Sequence, residues 1–198
     1  MEWWKTVKKK KRKKKLVFIH TPKCGGTYAG EIFKDLGIKN KFHNRANKRD
    51  GITFTIIRDP VDRFESLLNY RLTARRPRSD WPINLRGVYR KKNISLNKIV
   101  KRMTNVQIRG FRPYKTLVYW SKNVDIIITI DKLPELLNFF GYKYDKNKYK
   151  RKNVSKKTRG KLDENTRARI AKLFAPDVLL YNKIKEHCGK SQTLGDHA

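Results

Sequence analysis

Carboxylates are scarce in this chain: 17 Asp and Glu stand against 50 Lys and Arg over 198 residues, a formal net charge of +33. A field of that sign draws in polyanions, whether nucleotide, nucleic acid, acidic glycan or anionic membrane, without choosing among them. Cysteine is nearly absent as well. Cys24 and Cys188 are the whole complement, which excludes a disulfide framework and leaves open whether the two thiols meet. No Cys/His cluster has metal-ligand spacing, so no metal is expected. No run approaches the roughly 20 apolar residues of a membrane span. The N-terminus lacks the apolar core of a secretory leader. The expectation is a soluble, cytoplasmic protein of a reducing compartment.

The length suits one domain with tails. Residues 8–15 read KKKKRKKK, and self-repulsion argues against packed structure there. We expect a disordered polybasic tail over 1–15, a folded domain over 16–187 and a flexible C-terminal tail over 188–198. The Lys8–Lys15 run also fits a nuclear-import signal, or a contact with nucleic acid or anionic membrane helped by Trp3 and Trp4.

Within the domain, the apolar run Leu16–Ile19 and the β-branched runs Ile52–Ile57 and Val124–Ile130 predict strands. Helices are predicted over Thr27–Leu36, Val61–Leu72, Leu133–Phe140, Asp163–Phe174 and Pro176–His187. A further short helix is predicted from a Ser95 cap to Met103. Asp59 and Pro60 suit the start of the second helix, and Gly37 and Gly141 suit helix ends. Residues 39–51, 73–93 and 143–161 read as polar, basic loops. Strands alternating with helices predict an α/β fold, a P-loop-like parallel β-sheet flanked by helices on both faces, with ligands at the carboxyl ends of the strands.

Two motifs fall at such ends. His20-Thr21-Pro22-Lys23-Cys24-Gly25-Gly26-Thr27 joins the first strand to the first helix. Glycines there admit an anion close to the backbone, the first helical amides and the helix dipole favour it, and Lys23 adds a mobile charge. In a Walker A loop the Lys follows the glycines; here it precedes both, which argues against a γ-phosphate and Mg²⁺ site. A Gly-rich turn with a solvated Lys would have the same residues. The second motif is Arg58-Asp59-Pro60-Val61-Asp62-Arg63-Phe64-Glu65-Ser66. Arg58, at the strand end, and Ser66, two turns into the helix, are able to share one phosphate. Alternatively Arg58 pairs with Asp59 or Asp62.

The first motif resembles the 5′-phosphosulfate loop of sulfotransferases that use 3′-phosphoadenosine 5′-phosphosulfate (PAPS), closest to the carbohydrate branch with its heparan and uronyl 2-O-sulfotransferases. The second, with Ser66 eight residues after Arg58, resembles that family's 3′-phosphate motif. Lys150-Arg151-Lys152-Asn153-Val154-Ser155-Lys156-Lys157 is similar to the basic loop that closes over the 3′-phosphate and adenine. Asp131-Lys132-Leu133 and Ala175–Asn182 also resemble family segments, and the likeness is patchy between 73 and 120.

The resemblance implies PAPS as co-substrate, bound by Lys23, Cys24, Gly25, Gly26, Thr27, Tyr28, Arg58, Ser66, Asn153 and Ser155. It implies Lys23 acting on the bridging oxygen and a base for the acceptor hydroxyl. His43, lying between the two motifs, is the first candidate base and Glu31 the alternative; His20 abuts the loop, and His187 and His197 read as bland. An acidic glycan is the expected acceptor, with Arg71, Arg75, Arg76, Arg78, Arg86 and Arg90 as a cationic lining. The rivals are a polybasic nucleic-acid-binding protein and a P-loop nucleotide kinase.

Overall fold

A computed structural model describes residues 16–42, 45–47, 51–73, 94–111, 115–149 and 160–190. The polybasic run, His43, Asn153, Ser155, His197 and the arginines at 75, 76, 78, 86 and 90 lie outside the described residues. Strands β1 (Leu16–His20), β2 (Lys39–Phe42), β3 (Ile52–Ile57) and β4 (Ile126–Thr129) form one sheet in the order β2-β1-β3-β4. Every pairing is parallel, with Val17 opposite both Lys39 and Thr53, and Phe54 opposite Ile126. Helices flank the sheet: α1 (Gly26–Asp35), α2 (Pro60–Thr73), α3 (Leu96–Lys101), α4 (Asn105–Arg109), α5 (Leu117–Ser121), α6 (Leu133–Phe139), α7 (Glu164–Leu173) and α8 (Ala175–Lys190).

The strand runs are buried because alternate residues meet different layers. Leu16, Phe18, Phe54, Ile56, Ile126 and Ile128 pack with Ala29, Ile32 and Phe33 of α1 and with Leu133, Leu136 and Leu137 of α6. The Phe18 ring lies 4.6 Å from Phe33 and 5.3 Å from Phe54. Burying one such side chain contributes roughly 1.5–3 kcal/mol. Val17 and Ile19, which alternate with them, pack instead with Ala46. A second cluster lies mainly among helices: it includes Phe64 and Leu68 of α2, Ile99 and Val100 of α3, Ile108 of α4 and Ile170 of α7, with Met103, Phe111 and Leu162 from the connecting segments.

Helix starts follow the sequence chemistry. The Asp59 carboxylate accepts from the Asp62 amide at 2.9 Å at the head of α2, while Pro60 takes the first helical position, where an N–H has no intrahelical acceptor to lose. Ser95 and Asp163 cap α3 and α7. Gly37 and Gly141 both take left-handed φ, +67° and +77°, just past α1 and α6.

Four features depart from the sequence reading. Residues 39–42, read as loop, form the edge strand β2, because a charged edge strand needs no apolar run. Helices α4 and α5 were not anticipated. The Thr104 hydroxyl and the Gln107 side chain close a reciprocal capping box on α4. On α5 the buried Asp177 carboxylate accepts from the Leu117 and Val118 amides at 2.7 and 3.2 Å. The last strand is shorter than its apolar run, with Ile130–Lys132 turning as a 3₁₀ helix, and α3 stops at Lys101, short of Met103.

Candidate functional site

The strand order makes β1 and β3 neighbours whose following segments lead away in opposite directions, one toward β2 and the other toward β4. Such a switch point opens a crevice at the carboxyl ends of the two strands. The loop 21–25 and Arg58 both stand there.

The loop is held from beneath. The Thr55 hydroxyl lies 2.8 Å from the Ile19 carbonyl and 2.8 Å from the Thr21 hydroxyl. Because each hydroxyl has one proton, Thr55 donates to Ile19 and Thr21 donates to Thr55, tying the loop's first residue to the adjacent strand. Arg63, 1% exposed on α2, donates through Nε to the Pro22 carbonyl at 2.9 Å. Cys24 is a free, buried thiol whose Sγ contacts the Pro22 carbonyl at 3.7 Å. Burial pushes the thiol's pKa up against the opposing pull of Arg63 and Arg58, so it is a packing group rather than a thiolate.

The two glycines serve different ends. Gly25 sits at φ +85°, a left-handed conformation that needs no Cβ. Gly26 has an ordinary φ, yet a Cβ there would lie 2.0 Å from Nε2 of His20. His20 is itself buried, with its ring 6.1 Å from Phe18. The sequence reading gave these glycines to a close-lying anion; the space that a Gly26 Cβ would take is filled by the His20 imidazole.

Helix α1 has no side-chain cap and no acid in its first turn, and the Ala29 amide donates to the Gly25 carbonyl at 3.0 Å. Its positive end therefore has no acid in its own first turn to offset it. Lys23 stands beside it at φ +64°, a conformation that costs a non-glycine residue on the order of 1 kcal/mol. Its Nζ lies 4.4 Å over the Tyr70 ring. Among the described residues no carboxylate pairs with it. Burial, then the nearby Arg58, lowers its pKa from 10.5.

Arg58 approaches Asp62 at 3.7 Å, too long for a hydrogen bond. The same carboxylate is engaged by Arg167 of α7 at 3.0 Å, which also lies 3.6 Å from Glu65 and 3.8 Å from Asp59. Arg58 is thus loosely tethered beside Lys23. Ser66 is half-buried on α2, one turn before Tyr70. Thr27 and Tyr28 occupy the first turn of α1, and Glu31 lies exposed one turn further on.

Tyr28 also lines a cavity of about 460 Å³ with Ile130, Leu133, Pro134, Tyr144 and Tyr149. Its hydroxyl is 2.7 Å from that of Tyr144, and Tyr144 stacks on Tyr149 at 5.8 Å. Burial, then the Tyr28 contact, pushes the Tyr144 phenol up to about 12.

Of the residues read from sequence, the fold brings together Lys23, Cys24, Gly25, Gly26, Thr27, Tyr28 and Arg58, with Ser66 on the adjoining helix. Arg71 is no acceptor-lining cation: it is buried, with its guanidinium 5.9 Å from the Phe111 ring. His187 is exposed on α8 with Nδ1 2.6 Å from the Lys183 carbonyl. Asp177 caps α5 through the Leu117 and Val118 amides. Sequence reasoning passed over Thr55, Tyr70, Tyr144 and Tyr149, and gave Arg63 no role of its own. The one available signal was spacing: Arg63 and Tyr70 are two turns apart on one face of α2. Among the described residues no group of His, Cys, Asp or Glu is arranged to hold a metal, and no helix is long and apolar enough to cross a membrane.

Comparison with known proteins finds no matching family model, no matching curated protein and no matching solved structure.

Proposed function

We propose that this chain is a sulfotransferase that moves a sulfuryl group from PAPS to a hydroxyl of an acceptor, an acidic glycan. One observation carries the reading: the uncapped, acid-free start of α1 adjoins two cations, Lys23 and Arg58, and the Lys23 pKa is lowered by burial first and by Arg58 second. Like charges gathered beside a helix N-terminus, one with no carboxylate partner among the described residues and one loosely tethered, are stabilised when an anion enters.

In the proposed reaction the acceptor oxygen attacks sulfur in line. The new O–S bond forms as the bond from sulfur to the bridging oxygen breaks, and adenosine 3′,5′-bisphosphate leaves. Lys23 and the amides of Gly25, Gly26 and Thr27 stabilise the charge that grows on the bridging oxygen, a preorganised electrostatic effect. Arg58 and Ser66 hold the 3′-phosphate, with Asn153 and Ser155 from the basic loop. Tyr28 and the tyrosine-lined cavity suit a planar base. The acceptor proton passes to His43 or to Glu31. The net charge of +33 favours a carboxylated or sulfated acceptor.

Calorimetric titration with adenosine 3′,5′-bisphosphate, ADP and ATP tests the reading on wild type and Arg58→Ala. The 3′-phosphate ligand is expected to bind tightest. Arg58→Ala is expected to weaken it about ten- to a hundredfold, the worth of a hydrogen bond to a charged group, and to abolish the preference. Equal weak binding of all three would leave the charge alone speaking and favour the nucleic-acid reading; a preference for ATP with Mg²⁺ would favour a kinase.

A further inference from the structure

Lys23 is the one cation of the loop, and an aromatic ring rather than a carboxylate holds it. Its Nζ stands 4.4 Å over Tyr70. Tyr70 is 52% exposed, so ordinary core packing does not explain a large aromatic side chain there. It lies seven residues after Arg63, on the same face of α2. Arg63 bonds the Pro22 carbonyl. One helix face thus grips two consecutive residues of the loop, Pro22 through its backbone and Lys23 through its ammonium. Ser66 lies on the same side, between them.

A ring suits this task where an acid would not. A Glu at 70 would cancel the ammonium charge and repel an incoming anion. A π-face attracts the ammonium through its quadrupole and leaves the charge intact. An ammonium has three N–H donors, so contact with one face of a ring leaves donors for a ligand. The ring also removes rotamer freedom from a long side chain that would otherwise be lost on binding.

We propose that Tyr70 is a positioning residue for Lys23, holding its ammonium at the mouth of the loop, charged and ready for the anion. The functional half of this inference rests on the sulfotransferase reading; the contact itself does not.

Two measurements on wild type, Tyr70→Phe and Tyr70→Leu test it. In the first, lysines are reductively methylated with ¹³C-formaldehyde and followed by NMR. Methyl groups held over a ring are shifted upfield. Lys115 and Lys148 also lie over rings, those of Tyr119 and Tyr149, so the Lys23 signal is identified by its loss in Lys23→Arg; it is expected upfield in wild type and Tyr70→Phe and unshifted in Tyr70→Leu. In the second, unmodified proteins are titrated with adenosine 3′,5′-bisphosphate. Tyr70→Leu is expected to raise Kd about two- to fivefold, the worth of an exposed cation–π contact, and Tyr70→Phe to restore wild-type binding. A Lys23 signal that is unshielded in wild type, or still shielded in Tyr70→Leu, overturns the inference and leaves the sulfotransferase reading untouched. A shielded signal lost in Tyr70→Leu with unchanged Kd overturns the positioning role alone. If wild type does not bind the bisphosphate at all, the sulfotransferase reading falls and takes that role with it, while the NMR result still decides the contact.

Discussion

Gly26→Ala separates a glycine kept for a neighbour from one kept for its own backbone. Position 26 has a φ that any L-residue adopts and opens α1, so on local grounds Ala is the better residue, by up to about 1 kcal/mol inside a helix. The obstacle is tertiary: the new methyl would sit 2.0 Å from Nε2 and 2.1 Å from Cδ2 of His20. The imidazole has little room to give way, being 8% exposed and set edge-on to Phe18. Forcing a methyl into such packing costs roughly 1–3 kcal/mol. With a urea slope of about 2 kcal/mol per molar, a 2 kcal/mol loss lowers the unfolding midpoint by about 1 M. The decisive assay is a double-mutant cycle by urea denaturation with His20→Ala. With the imidazole gone, Gly26→Ala is expected to cost less than about 0.5 kcal/mol or to stabilise, giving a coupling above about 1 kcal/mol, within the range for residues in contact. If Gly26→Ala is equally destabilising with and without His20, or harmless in both backgrounds, the close-packing argument is wrong.

Two further perturbations follow from the site and its support. Lys23→Ala is expected to lower sulfotransfer on the order of 10²–10³, the effect of losing one preorganised donor; steady-state assay with PAPS and a uronic-acid glycan checks this, and near-wild-type turnover would remove Lys23 from the mechanism. At Asp177, burial raises the carboxyl pKa above its ordinary 3.8 although two amides and Arg63 oppose it. The folded state then binds this proton more tightly than the unfolded chain does, so this group's contribution to stability falls as pH rises from about 3.8 through the raised value. Asp177→Asn is expected to remove that dependence from urea midpoints measured between pH 3.5 and 7, an experimental range chosen to bracket the shift. Asp177→Ala is expected to cost about 2–4 kcal/mol by orphaning the Leu117 and Val118 amides.

The parts of this fold fixed by local sequence are those whose physics is local. Leu16–Ile19, Ile52–Ile57 and the core of Val124–Ile130 are strands because short β-branched and apolar runs between turn residues have few other ways to be buried. Asp59, Pro60, Ser95 and Asp163 start helices through groups within three residues of them. Lys23 and Arg58 were legible as a pair of strand-end cations because the alternation of strands and helices places strand ends together. The Thr104–Gln107 capping box was also open to reading. What was not legible depended on partners far along the chain. Strand β2 has a polar sequence and exists through its backbone pairing with β1, to which side-chain pattern is blind. Helix α5 starts where Asp177, 60 residues later, supplies the acceptor for Leu117. The loop is fixed by Thr55, 34 residues from Thr21, and by Arg63, 41 residues from Pro22. Only the packed structure decides that Tyr70 lies under Lys23 and His20 under Gly26, because such contacts follow from how whole elements dock rather than from the spacing of residues within any one of them.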